Sequence, residues 1–164
     1  MTSASTRLDG ALAGPDLEAN KELVRRLFGD IDALSPSLHD DYFAASYVDH
    51  TPLPVPGLAD GIEGARQVYA VNQAAFSEPW HTIEGQVAEG DLVITWLTAG
   101  GRHTGELLGV TATERDVSMR GVTIFEVVDA KIVSRWGISD LMGLFVQLGA
   151  IPPPGGHGAE PARP

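Results

Sequence analysis

The spacing of apolar residues changes near Trp80, and this change limits the folds that the chain can adopt. Before Trp80, apolar residues recur every three or four positions, which is typical of amphipathic helices. After Trp80, they alternate with polar residues, which is typical of strands with one buried face. Helices followed by consecutive strands predict an α+β fold in which helices cover one side of an antiparallel sheet.

The first half of the chain predicts three helices separated by one loop. The first helix begins near Asp16, and a second follows Ser35-Pro36 and ends near Phe43. A third has apolar residues at helical spacing from residue 62 to residue 76. The segment 47–57 contains three prolines, which exclude a helix and an internal strand and therefore predict a loop.

The second half of the chain predicts five strands. Glycines in the pairs Gly90-Asp91 and Gly100-Gly101 predict hairpin turns, and Asp129-Ala130 predicts a further turn. The predicted strands are about Thr82–Ala88, Leu92–Ala99, Arg102–Leu108, Val117–Val128 and a last strand that ends at Asp140.

The chain has 164 residues, of which 43% are hydrophobic, and this is enough for one well-packed domain. We expect this domain to span residues 16–151. Residues 1–15 are small and polar, and residues 152–164 are rich in proline and glycine. These compositions predict a flexible N-terminal segment and a disordered tail.

Charge and cysteine content limit the partners of the chain. The formal net charge of -11 disfavours nucleic acid and anionic membrane surfaces. We therefore expect a small uncharged molecule as ligand, with neither nucleic acid nor membrane as partner. The chain has no cysteine, no apolar run long enough to span a membrane and no secretory signal pattern, so we expect it in the cytoplasm.

The predicted last strand, Lys131–Asp140, ends in a carboxylate that has two interpretations. With strict alternation, Ile132, Trp136, Ile138 and Asp140 share one face, so Asp140 would point toward an apolar interior. Burial disfavours the ionised form of a carboxyl group, and this makes Asp140 a candidate for proton transfer. Alternatively, Asp140 caps a short helix predicted over residues 141–148.

Three histidines are further candidates for a site. His103 lies early in a predicted strand, where its imidazole could polarise a substrate oxygen or simply bind a backbone carbonyl. His50 lies in the proline-rich loop and either contacts a ligand or lies on the surface. His81 shares a strand side with Ile83 and Val87, which places it toward the interior. The spacing of the histidines is not that of a metal site, so we expect no metal.

Glu126 and two aromatic residues complete the candidate set. Glu126 is either a second interior acid or a solvated residue paired with Arg120 or Arg135. Phe125 lies on the opposite face of the same strand. Phe125 and Trp136 provide large apolar surfaces that either fill the core or line a ligand pocket.

Short motifs occur in a characteristic order along residues 20–150. They are Tyr47-Val-Asp-His50, Gly61-Ile-Glu-Gly64, Val87–Ile94, His103–Gly109 and Lys131–Trp136 followed by Asp140. In this order the chain resembles the SnoaL-like polyketide cyclases, a branch of the nuclear transport factor 2 superfamily. The resemblance implies a cone-shaped curved sheet wrapped around N-terminal helices, which encloses an apolar cavity and needs no metal or organic cofactor.

The resemblance also implies an activity and residue roles. It implies ring closure of a polyketide by intramolecular aldol condensation, with Asp140 of the Trp-x-x-x-Asp pattern as the acid/base group. His103 matches the histidine of the family's His-x-Gly strand and is expected to line the cavity as its partner. We expect the apolar substrate to contact further residues as well. These are His50, Trp136, His81, Glu126 and Phe125.

Departures from the family pattern leave other functions open. Residues 111–115 replace a Pro-Thr-Gly-Arg stretch, and Asp129-Ala130 replaces an Asp-Gly turn. Because one fold hosts many reactions, an epoxide-opening cyclase or hydrolase is an alternative, and so is a non-catalytic ligand-binding or dimerisation module. An open sheet of this length exposes a face that predicts a homodimer or homotetramer.

Overall fold

The computed structural model describes residues 16–153 as four helices and five strands. The predicted N-terminal segment 1–15, and all but residues 152 and 153 of the predicted tail, lie outside the described residues. No helix within 16–153 is both long enough and apolar enough to span a bilayer. The elements are α1 (Leu17–Asp32), α2 (Leu38–Tyr42), β1 (Phe43–Asp49), α3 (Gly61–Ala75), β2 (Phe76–Glu89), β3 (Leu92–His103), β4 (Asp116–Val128), β5 (Lys131–Ser139) and α4 (Leu141–Leu148).

The five strands form one curved sheet in the order β1-β5-β4-β3-β2. Neighbouring strands are antiparallel except β1 and β5, which are parallel. Helix α1 packs against β2 and β3, and we call the sheet face that it covers the inner face. This arrangement confirms the predicted α+β class, with a sheet that is mixed rather than wholly antiparallel.

The apolar residues of the helices and of the inner face form two separate buried clusters. Helix α1 begins where its sequence predicts, since the Asp16 carboxylate accepts a hydrogen bond from the Ala19 amide at 3.0 Å. The first core cluster comprises Leu23, Val24, Leu27, Phe28, Leu38, Tyr42, Tyr47, Val93, Leu97, Phe125, Val127 and Ile132. The second core cluster comprises Ala75, Leu107, Val117, Leu144 and Leu148.

Strand β1 lies where the sequence predicted a helix end and a loop. It ends at Asp49, three residues before the first proline at Pro52. The prolines exclude a strand only where they stand, and β1 precedes them at the edge of the sheet. The prediction of a loop over residues 47–57 is therefore wrong at its beginning.

The predicted turn at Gly100-Gly101 is also wrong, because β3 continues through both glycines. Gly100 pairs with Trp80 on one side and with Ser118 on the other. A Cβ atom added at Gly100 would lie 2.3 Å from the Trp80 ring, so glycine is needed here for close packing and not for a turn. The predicted strand over residues 102–108 is absent beyond His103, where an irregular segment begins.

Bulges in β5 and β2 change which side chains face inward. In β5, Ile132 pairs with Val127 whereas Ser134 pairs with Glu126, so Val133 is an extra residue. In β2, the register against β3 shifts in the same way between Ile83 and Gly85. Since one extra residue reverses the alternation of side chains, every face predicted across these points is inverted beyond the bulge.

We predict that His39 lowers the stability of the fold in acid. His39 is buried between Phe43, whose ring is stacked at 5.5 Å, and Tyr69, whose ring is edge-on at 5.4 Å. Burial lowers the pKa of His39, so the unfolded chain binds this proton more readily than the folded chain. The free energy of unfolding should therefore decrease as the pH falls below about 6.5.

Denaturant titrations of the wild type and of His39→Gln, each carried out above and below a pH of about 6.5, measure the effect. The wild type should lose more stability on acidification than His39→Gln, which cannot take up the proton. An equal loss in both proteins would show that His39 does not contribute.

Candidate active site

Solvent reaches the inner face between the two core clusters. On β3 and β4, the inner-face residues Ala99, Met119 and Gly121 are partly accessible. We call the region around these three residues the inner hollow. The inner-face residues on either side of it are buried, namely Val93, Thr95, Leu97, Gly101 and His103 on β3, and Val117, Thr123, Phe125 and Val127 on β4.

His103 is fully buried on the inner face at the end of β3, with 0% of its surface accessible. The amide of Thr113 donates a hydrogen bond to His103 Nδ1 at 3.2 Å, and the Thr113 hydroxyl lies 3.1 Å from the same nitrogen. Because Nδ1 accepts a hydrogen bond, the neutral ring carries its proton on Nε2. Among residues 16–153, Nε2 has no hydrogen-bond partner. His103 therefore holds an unused N–H donor in an apolar setting, 5.6 Å from the Phe76 ring.

Thr113 was not a candidate from the sequence. It lies in residues 111–115, an irregular segment between β3 and β4. Two backbone hydrogen bonds hold this segment beside His103, from the His103 amide to the Arg115 carbonyl at 2.9 Å and from the Glu114 amide to the His103 carbonyl at 3.0 Å. This segment thus determines the tautomer of neutral His103.

Asp140 is exposed and caps α4. Its Oδ1 accepts a hydrogen bond from the Gly143 amide at 2.8 Å, so the capping interpretation is confirmed. The predicted orientation toward an apolar interior is wrong. Beyond the bulge at Val133, the inner face of β5 carries Arg135 and Ser139, whereas Ile138 is 79% exposed.

His50 and Trp136 lie together on the outer face of the sheet. Their rings are stacked at 4.2 Å with an angle of 5° between the planes. The stack brings together two residues predicted separately to bind substrate, but the bulge places them on the opposite side of the sheet from His103. Trp136 pairs with Ile124, and Glu126 shares this outer face.

Phe125 and His81 lie on the inner face. Phe125 is buried in the first core cluster, where its ring lies 6.4 Å from that of Phe28. His81 pairs with Ala99 and so borders the inner hollow, as the sequence predicted for its side of the strand. Val87, predicted to share that side, is 51% exposed because of the bulge after Ile83.

His81 is bound to Asp32, a residue that sequence analysis did not select. Asp32 Oδ1 lies 2.5 Å from His81 Nδ1, and Asp32 Oδ2 accepts the His81 amide at 3.0 Å. The two residues are 49 positions apart in the chain. No local pattern could have indicated this contact.

Two surface clefts contain none of the predicted site residues. One, of about 390 Å³, lies between β1 and the beginning of α3 and is lined by Tyr47 and Val68 among others. The other, of about 360 Å³, lies beside Trp80 and Gln147. No group of three or more histidines or carboxylates in residues 16–153 is arranged to hold a metal ion.

Helices held against one face of a curved five-stranded sheet, with histidines set among the apolar residues of that face, define an α+β protein with an internal polar site. Residues 22–148 match the family model of the SnoaL-like polyketide cyclases. The chain belongs to this family, and it is an enzyme of the polyketide cyclase type.

Individual relatives agree with this assignment. The chain is 31% identical over 122 residues to nogalonic acid methyl ester cyclase from Streptomyces nogalater, across 74% of this chain and 87% of the relative. It is 31% identical over 134 residues to aklanonic acid methyl ester cyclase DnrD from Streptomyces peucetius, across 78% and 89%. The structure of TsrD from Streptomyces laurentii superimposes with a TM-score of 0.74 at 28% identity, covering 84% of this chain and 99% of TsrD.

We predict that the neutral ring of His103 is the Nε2–H tautomer, because Nδ1 accepts the Thr113 amide. Nitrogen-15 NMR of histidine-labelled protein should show a protonated Nε2 and an unprotonated Nδ1. In Thr113→Val the amide of residue 113 still donates to Nδ1, so the same tautomer is expected. A protonated Nδ1 in the wild type would contradict the arrangement described here.

Proposed function

We propose that this enzyme closes a ring in a polyketide-like substrate by an intramolecular aldol reaction that needs no cofactor. Family membership and the two named methyl ester cyclases support a substrate of this class. The observation that carries the reaction type is the Nε2–H donor of His103, which is buried and has no partner in residues 16–153. Such a donor stabilises negative charge that develops on an enolate oxygen.

The aldol reaction requires one acid/base group and one donor of this kind. A base removes a proton from a carbon between two carbonyl groups, and the resulting enolate attacks a second carbonyl carbon. A C–H bond and the π bond of the attacked carbonyl break, a C–C bond and an O–H bond form, and no electrons are gained or lost overall. An apolar surface that folds the chain of the substrate brings the two carbons together.

Asp140 is proposed as the base. Its Oδ1 accepts the Gly143 amide, and the side chain is exposed at the start of α4. A carboxylate can accept the carbon-bound proton. Leu141 and Phe145 of the same helix pack against the second core cluster, as does Phe76 beside His103. The helix that Asp140 caps and the Phe76 ring beside His103 thus pack against the same core cluster, and this supports the proposal.

One inner-face candidate is proposed as a substrate contact. His81 shares the inner face with His103 and lies opposite the partly accessible Ala99, whereas Phe125 is buried in the first core cluster and is assigned to the core. His50, Trp136 and Glu126 lie on the outer face, so they are assigned to the contact between subunits proposed below rather than to the substrate. The enzyme is proposed to act in the cytoplasm, as the sequence leads us to expect.

We predict that Asp140→Asn separates capping from catalysis. Asparagine caps helices as well as aspartate does, so Asp140→Asn should keep the stability of the wild type. It should lower kcat by about 10²–10⁴, because the amide cannot accept a proton. The matched variant Asp140→Ala should lose the same activity and in addition about 1 kcal/mol of stability.

Cyclisation of nogalonic acid methyl ester and aklanonic acid methyl ester, together with denaturant titrations, measures both effects. If Asp140→Asn turns over either ester at the rate of the wild type, Asp140 is not the base. If the wild type opens an epoxide but cyclises neither ester, the aldol assignment is wrong.

We also propose that two copies of the chain associate through the outer face. Trp96 pairs with Val122, and Val122 pairs with Ile138, so these residues form one apolar row across three strands. They are 40%, 44% and 79% exposed. A continuous apolar surface of this kind favours a protein contact, and a second copy of the chain is the proposed partner.

We predict a dimer or tetramer in light scattering, at two or four times the chain mass of 17.4 kDa. Ile138→Lys should shift the protein toward the monomer without loss of secondary structure, because it places a charge in the row. Leu34→Lys is the control, since Leu34 is 46% exposed but lies after α1, away from the sheet. A wild-type monomer would contradict the proposed contact.

A further inference from the structure

Asp32 and His81 form a carboxylate–histidine pair beside the inner hollow. Asp32 is the last residue of α1, and His81 lies on the inner face of β2. The carboxylate binds His81 through both oxygens, one at the ring nitrogen Nδ1 at 2.5 Å and one at the main-chain amide at 3.0 Å. The ring of Phe28 lies 5.1 Å from the imidazole.

The contact with Asp32 determines which ring nitrogen of His81 is available. An ionised carboxylate only accepts hydrogen bonds, so Nδ1 must carry a proton. The nitrogen left for chemistry is Nε2. In the same position a carboxylate also stabilises the imidazolium that forms when Nε2 takes up a proton. A proton on Nε2 can therefore be given up while Nδ1 stays hydrogen-bonded to Asp32.

The ring contact is more than a structural link between α1 and β2. The hydrogen bond from the His81 amide to Asp32 already joins the helix to the strand. The other oxygen of Asp32 binds the imidazole, a contact that the link between helix and strand does not require. The side chains of His81 and Asp32 are 17% and 28% accessible, so the pair is neither sealed in the core nor fully solvated. Partial burial strengthens the effect of the Asp32 charge on the ring.

The pair also borders the region that solvent reaches. His81 lies opposite Ala99, which in turn lies opposite Met119, and both are partly accessible inner-face residues. A substrate in the inner hollow would lie next to the imidazole. His103 is at the end of the same strand as Ala99. Its Nδ1 accepts the Thr113 amide, so the neutral ring offers an N–H donor and no free nitrogen that could act as a base.

We propose that His81, held in place by both oxygens of Asp32, is the general acid of the ring closure. This inference rests on the proposed function. As the C–C bond forms, the proton on His81 Nε2 passes to the alkoxide oxygen of the attacked carbonyl group. His81 is left neutral, with its remaining proton on Nδ1 and hydrogen-bonded to Asp32. The proton that Asp140 took from carbon returns to His81 through solvent. Here His81 is a catalytic residue and Asp32 is its positioning residue.

The test compares His81→Asn with His81→Ala and Asp32→Asn, with the two methyl esters named above as substrates. The amide nitrogen of asparagine occupies the place of Nδ1, so His81→Asn keeps a hydrogen bond to Asp32 and removes the Nε2 proton. We expect its stability to stay near that of the wild type and its kcat to fall by about 10²–10⁴, with little change in KM. Asp32→Asn should lower kcat in the same direction but by less, because it removes the charge and keeps an acceptor.

Chemical rescue separates catalysis from structure. Added imidazole should restore part of the activity of His81→Ala, since a free imidazolium can occupy the vacated space and donate the proton. It should not restore the activity of Asp140→Asn. A merely structural role for His81 predicts that His81→Asn is fully active and that imidazole has no effect on His81→Ala.

The outcomes also separate this inference from the proposed function. If the wild type cyclises an ester and His81→Asn does so at the same rate, the inference is wrong and the proposed function stands. If the wild type cyclises neither ester, the proposed function is wrong and the inference fails with it.

Discussion

The extra residue Val133 in β5 decides which side chains the last strand offers to each side of the sheet. Before it, Ile132 is fully buried in the first core cluster. After it, Arg135 faces inward, where its guanidinium lies over Gly137 and binds Asp49 of β1 at 2.9 Å. The same bulge turns Trp136 outward. Because of this extra residue, Arg135 can form an ion pair with Asp49 on the edge strand β1. For the same reason, β5 places no large apolar side chain beside the inner hollow.

The two inner-face histidines are held in opposite ways. Thr113 donates to Nδ1 of His103, whereas Asp32 accepts from Nδ1 of His81. The first contact leaves the Nε2–H of neutral His103 as its free donor, and the second fixes a proton on Nδ1 of His81 and leaves Nε2 for proton transfer. A donor that stabilises an enolate and an acid that protonates an alkoxide are different tasks, and a histidine can perform either. The contacts made by Nδ1 distinguish them here.

The sequence was sufficient for features that depend on local patterns. The start of α1 at the Asp16 cap, the α+β class and the cap at Asp140 could all be predicted, because each depends on residues within a few positions. The faces of β2 and β5 could not be predicted. A bulge is a property of the pairing with the neighbouring strand, and no residue type in Ile83–Gly85 or Ile132–Ser134 marks it. The partners Asp32 and Thr113 were missed because their contacts are distant in sequence or lie in an irregular segment.

The continuity of β3 through Gly100-Gly101 connects the parts of the proposed site. A hairpin at these glycines would have placed Ala99 and His103 on different strands. In the structure they lie on one strand and one face, so β3 itself fixes the distance between the His81 region and the His103 donor. The first core cluster holds the helix that carries Asp32, and the second lies around Phe76 and α4. Because packing is concentrated in these two clusters, the inner hollow between them can hold polar side chains at little cost to the stability of the fold.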